Sequence, residues 1–305
     1  MAAKFSQIAQ RLVRTTRKEK AKTMIKRTAP FKATFLVFVL VLSSVCSAAD
    51  ERPLRILVSN DDGIEAPGII ALAEALRDIG EVTVAAPREN RSGTSHGVTS
   101  DRPIKVTESE KDGIKWYAVD ALPATCVRLA IEALLPERPD VVVTGINSGA
   151  NLGTVTFYSA TVAGAREAAF LGIPAVSFNL DRGRGMDFGA AARFARALVR
   201  SVAADGLPPG SYLNVNVPAL SRQSIKGVRI TRKDRRAPLE FYEKKQGEGG
   251  ETVYIPSYQN LEPAEEGTDI WAVRNGFISL TLFTIDQTYA EGLPGLKALE
   301  NLKWD

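Results

Sequence analysis

From Leu54 onward, short apolar runs alternate with stretches in which apolar residues recur every three to four positions, and this alternation restricts the fold more than any other feature. A short apolar run reads as a strand buried on both faces, and a helical period as the amphipathic helix that covers it, so the pattern predicts βαβ units on a parallel sheet. The first unit pairs a strand over residues 54–59 with a helix over 67–79, where Ile69, Ile70, Leu72, Ala73 and Leu76 share a face and Pro67 stands near the start. Further strands are predicted over 81–86, 140–144 and 175–178, and helices over 124–135, 159–171 and 187–204. After Pro208-Pro209-Gly210 the texture turns to strands, over 213–217, 228–232, 252–255 and 277–283. The charged, Gly-rich stretch 235–251 between them predicts an exposed hairpin or arm. The expected fold is an α/β sandwich of three layers, with a mostly parallel Rossmann-like sheet and a β-rich C-terminal part over 210–290 that carries an oligomerisation arm.

The first 49 residues do not fit this scheme. Basic residues from Lys4 to Lys32 precede an apolar run from Ala33 to Val45 and the small residues Ser47, Ala48 and Ala49, the order of a secretory signal peptide. The run is shorter than the roughly 20 residues of a membrane-spanning helix, which argues against a permanent anchor. Met24-Ile25-Lys26-Arg27 would open a leader of more ordinary length than Met1 does, and Ser43 stands before Cys46 where a lipid-attachment signal wants an aliphatic residue. An exported, periplasmic protein comprising residues 50–305 is expected. The leader holds 10 of the 39 Lys and Arg but only one of the 35 acids, Glu19, so the remainder is acidic, at about −5. That removes the electrostatic case for binding nucleic-acid polymers. With one His in the chain and Cys126 the one Cys beyond the leader, a zinc site of His and Cys ligands is excluded, as is an intrachain disulfide.

In an open parallel sheet, ligands bind beyond the carboxyl ends of the strands. The first such loop is Ser59-Asn60-Asp61-Asp62-Gly63, the second holds Asn90-Arg91-Ser92-Gly93-Thr94-Ser95, and the third runs from Gly145 through Asn147 and Asn151 to Gly153. Two adjacent carboxylates repel each other unless a cation compensates them, and hydroxyl and amide oxygens complete a hard-cation shell. Asp61, Asp62, Ser92 and Asn147 form such a set, all oxygen, which selects magnesium, manganese or calcium over zinc or copper. Each residue also has a plain structural reading, as a turn, a cap or a loop amide. Their convergence on one sheet edge favours the metal. Tyr158-Ser159-Ala160-Thr161 at the start of a helix offers hydroxyls and free N–H groups to a phosphate, or equally an ordinary N-cap by Ser159.

Taken in order, Ser-Asn-Asp-Asp-Gly, Asn-Arg-Ser-Gly-Thr-Ser, Gly-Ile-Asn-Ser-Gly-Ala-Asn-Leu-Gly, Tyr-Ser-Ala-Thr-Val and Gly-Thr-Asp resemble the motifs of the survival-protein SurE 5′/3′-nucleotidases, over about residues 54–288. The resemblance implies a SurE-like phosphatase that hydrolyses nucleoside monophosphates with one divalent cation, magnesium or manganese, held by Asp61, Asp62, Ser92 and Asn147. It implies catalytic roles for Asp61, Asp62 and Asn147, substrate contacts from Gly93, Asn151, Ser159 and Thr161, and a homodimer or homotetramer whose C-terminal elements exchange between subunits. The chain departs from the pattern at three places. Val155 stands where many members have Asp, Thr284 where they have His, and Ala160 where Gly is usual. The first two departures leave open an exported homologue that binds nucleotide with impaired catalysis. A metal-dependent glycosyltransferase using Asp61 and Asp62 on a nucleotide sugar is a third reading.

Overall fold

A computed structural model describes residues 52–236, 239–259 and 263–303. The predicted leader lies outside them. The body from Pro53 onward is one compact unit.

The strands are β1 (Leu54–Ser59), β2 (Gly80–Pro87), β3 (Val106–Lys111), β4 (Ile114–Val119), β5 (Val141–Ser148), β6 (Ala175–Leu180), β7 (Ser211–Val217), β8 (Val228–Thr231), β9 (Leu239–Gln246), β10 (Thr252–Gln259) and β11 (Ile278–Thr284). The helices are α1 (Pro67–Leu76), α2 (Pro123–Leu129), α3 (Ala160–Phe170), α4 (Phe188–Asp205) and α5 (Asp269–Arg274). Nine strands form one sheet in the order β3-β4-β2-β1-β5-β6-β7-β11-β8, parallel except where β3 meets β4 and β11 meets β7. The expected three-layer α/β sandwich with its β-rich C-terminal part is therefore observed. Within that part, β7, β11 and β8 continue the main sheet. Only β9 and β10 stand apart, as the antiparallel hairpin expected around the charged stretch.

Strand alternation distributes the core. Ile56, Val58, Val141 and Val143 face α1 and α4, whereas Leu57 and Val142 face α2 and α3, so the central strands are apolar on both sides. Gly68 in α1 is obligatory, since a Cβ there would lie 1.9 Å from the Ile146 carbonyl oxygen; its absence lets α1 approach the end of β5. Gly145 has φ +125°, and a Cβ there would lie 2.3 Å from the Phe178 carbonyl oxygen. The β5–β6 register shifts between Thr144 and Asn147, and the strand runs on to Ser148. That irregularity carries Asn147 to the strand's carboxyl end.

Candidate active site

From β1, the chain passes to β2 on one side and β5 on the other, so the sheet has its topological switch point between β1 and β5. A cavity of about 340 Å³ opens there. Asp61 and Asp62 reach it from the end of β1, Ser92 and Gly93 from the loop after β2, and Asn147 and Asn151 from β5 and its following loop, with Ser159 at the start of α3. All seven expected site residues outside α3 are thus brought to one cavity.

The two carboxylates sit differently. Asp61 is buried and accepts a hydrogen bond from the Thr161 hydroxyl. Burial pushes its carboxyl up to about 6; the Thr161 hydrogen bond opposes that rise and the Asp62 charge adds to it. Asp62 is more open, accepting from the Ser148 amide at 3.0 Å and from the Ser92 hydroxyl at 3.4 Å. Ser92 is presented by an Asx turn in which its amide donates to Asn90 Oδ1 at 2.8 Å, and Gly93 follows at φ +76°. Asn147 donates from Nδ2 to the Gly149 carbonyl at 2.7 Å, which leaves Oδ1 as its acceptor toward the cavity.

These donors fit a hard divalent cation. Among the described residues no three of His, Cys, Asp and Glu converge, so the set has two carboxylates, a hydroxyl and an amide oxygen. Magnesium-like ions are bound in that way, by one or two carboxylates, with water and substrate phosphate completing the shell. The uncompensated burial of Asp61 beside Asp62 is the electrostatic counterpart of the same arrangement.

Two expected phosphate contacts take other places. Thr161 is completely buried and holds Asp61 from behind, so a direct hydrogen bond from its hydroxyl to substrate is not what the geometry offers. Ser159 lines the cavity but also caps α3, accepting from the Val162 amide at 3.1 Å. Its hydroxyl proton remains to be donated. Asn151 is fixed by neighbours, its amide donating to Asn216 Oδ1 at 2.8 Å and its side chain to Asn179 Oδ1 at 2.6 Å.

Val155 lines the cavity, whereas Thr284 does not. Thr284 pairs with Ser211 at the beginning of β7, and β11 runs antiparallel, so it stands at the opposite sheet edge from Asp61. His96 is likewise outside the cavity. Arg166 Nε donates to His96 Nδ1 at 2.7 Å, which puts the imidazole proton on Nε2, 2.7 Å from Glu167 Oε2. Arg128 donates to the other Glu167 oxygen at 2.5 Å. His96 thereby ties the loop that bears Ser92 to α3, and Ser95 ties it to the turn before α3 through the Phe157 and Tyr158 carbonyls. Asn90 and Tyr158, the first residues of two of the motifs, also line the cavity, and Arg182 lines it without having been marked by any motif.

Fold and cavity define an α/β protein with an oxygen-lined cavity at the switch point of a parallel sheet. The chain belongs to the survival protein SurE family, whose model matches residues 56–239. It is 47% identical over 251 residues to 5′-nucleotidase SurE 1 of Thermus thermophilus, covering 80% of this chain and 98% of that one. It is 44% identical over 236 residues to 5′-nucleotidase SurE of Alkalilimnicola ehrlichii, covering 77% and 91%. The crystal structure of the SurE protein from Aquifex aeolicus superposes with a TM-score of 0.74 at 38% identity, over 81% of this chain and all of the other.

Proposed function

We propose that this protein is a divalent-metal-dependent nucleotidase that hydrolyses 5′ or 3′ nucleoside monophosphates to nucleoside and phosphate. The observation that carries the reading is the paired carboxylates Asp61 and Asp62 facing Ser92, Asn147 and Ser159 across one cavity at the sheet switch point. Several relatives named 5′-nucleotidase support it. Asp61, Asp62, Ser92 and Asn147 would hold one magnesium or manganese ion, which supplies Lewis acidity and positive charge beside the phosphoryl group. Thr161 and Ser148 keep the two carboxylates in place. Gly93, Asn151 and Ser159 line the wall where the substrate phosphate is seated, and the glycine admits close approach to the backbone.

Release of inorganic phosphate from AMP with manganese, abolished by chelator and by Asp62→Asn, is the test. Tight nucleotide binding with no phosphate release would replace this reading by that of a binding homologue. A homodimer or homotetramer and a periplasmic location belong to the same proposal, the latter resting on the leader signature of residues 1–49. Among the described residues no helix is long and apolar enough to cross a membrane.

A further inference from the structure

Charge balance in the cavity points to a residue outside the family motifs. Asp61 and Asp62 together offset a divalent cation, leaving nothing positive for a phosphate monoester that carries up to two negative charges near neutral pH. The helix terminus does not fill the gap. In the first turn of α3 the Val162 amide is taken by Ser159, and the hydroxyl and amide of Thr161 both serve Asp61.

Among the described residues, Arg182 is the single basic one lining the cavity. It follows β6, whose last residue Leu180 is in register with Ser148. Its Nε donates to the Ser148 carbonyl at 3.1 Å, while the Ser148 amide holds Asp62 at 3.0 Å, so one peptide residue links the guanidinium to a proposed metal ligand. Gly149, at φ +129°, leaves room for this: a Cβ there would lie 3.3 Å from Arg182 Nε and 3.7 Å from Cζ. The two terminal nitrogens have no hydrogen-bond or ion-pair partner among the described residues. A guanidinium anchored through Nε with both Nη groups unused is a fork suited to two phosphate oxygens.

Resting on the nucleotidase reading, we propose that Arg182 is a phosphate-binding residue, clamping the equatorial oxygens of the transferred phosphoryl group and countering their charge as the bond to the nucleoside oxygen breaks. The tests are AMP hydrolysis with manganese and calorimetric binding of inorganic phosphate to the manganese-loaded protein. Arg182→Ala is expected to lower kcat/KM about 10²-fold, the usual loss on removing one such donor, and to weaken phosphate binding at least about tenfold. Manganese activation and melting temperature should stay at wild-type values, since Arg182 is exposed and touches no ligand side chain. Arg182→Lys should recover only part, because an ammonium lacks the fork. Arg184→Ala, in the same loop but outside the cavity, should have no effect. Arg182→Ala within about threefold of wild type in both assays overturns the proposal. Wild-type protein that binds phosphate through Arg182 but releases none from AMP would retain the clamp and reject the nucleotidase. Absence of both activities rejects both.

Discussion

Asp61 carries a buried charge whose nearest like charge, Asp62, is its chain neighbour, and the hydroxyl and amide of Thr161 approach it without bringing a positive charge. Replacing that carboxylate by a neutral amide removes the cost of burying a charge without emptying the site. Asp61→Asn is therefore expected to abolish phosphate release and, in chelator near neutral pH, to raise the melting temperature, by up to about 3 kcal/mol of stability for a shift of roughly two pKa units. An unchanged or lower melting temperature would count against the repulsion argument. Thr161→Val discriminates the buried support role from a phosphate contact. Loss of a residue that orients a metal ligand typically costs 10 to 100-fold in metal affinity, so the manganese needed for half-maximal activity should rise about tenfold while the KM for AMP hardly moves. Val155 tests the family's missing acid. Val155→Asp introduces a carboxyl into the cavity wall and should raise kcat more than it changes KM, within the 10² to 10⁴-fold range of acid–base assistance. Adding Thr284→His should contribute nothing, because that position lies at the other sheet edge.

At the scale of elements, α3 links several parts of the site: its cap lines the cavity, its first turn supports Asp61, and Glu167 in its second half receives His96 and Arg128. Burial works against the Glu167 charge, but His96 and Arg128 outweigh it and hold the carboxyl below the ordinary glutamate range. Its stabilisation is therefore complete above the unfolded value of 4.5 and disappears as pH falls through the lower folded value. Glu167→Gln should cost about 2 to 3 kcal/mol at pH 7, toward the low end for a broken buried pair because Arg128 is half-exposed, and thermal melts should converge once pH falls below the ordinary glutamate range. The central elements were legible because their apolar periods are strong. Ser159 and Asp187 stop α3 and α4 at their N-termini as their sequence positions suggest. The β3–β4 hairpin was not legible: β3 reads Val-Thr-Glu-Ser-Glu-Lys and is exposed throughout, so it carries no alternation. The six-residue α5 is too short to show a period. Four ligand candidates could be placed by motif and strand edge. The role of Thr161 behind Asp61 and the place of Arg182 could not, since the first needs the depth of α3 behind β1 and the second a contact between loops of adjacent strands.

Among the described residues, two elements of the C-terminal part leave apolar side chains open. In the 3₁₀ segment Ala290–Asn301 and the residue after it, Leu293, Leu296, Leu299 and Leu302 recur every third position and are each more than half exposed. A 3₁₀ helix has three residues per turn, so such spacing stacks side chains on one face. The β9–β10 hairpin also exposes apolar side chains, Tyr242 and Tyr254 on one face and Phe241 and Ile255 on the other. Contiguous exposed apolar surface on this scale is unfavourable in water and is normally covered by a partner; under the homo-oligomer proposed above, that partner is a second copy of the chain. Sedimentation velocity at micromolar concentration is expected to show a dimer or tetramer. Leu296→Glu with Leu299→Glu should shift it toward smaller species by burying charge in the interface, and phosphate release should survive in part, because every proposed metal ligand belongs to one chain. A wild-type monomer at that concentration would show that these surfaces serve another purpose, and an unchanged oligomer in the double variant would move the contact to the hairpin.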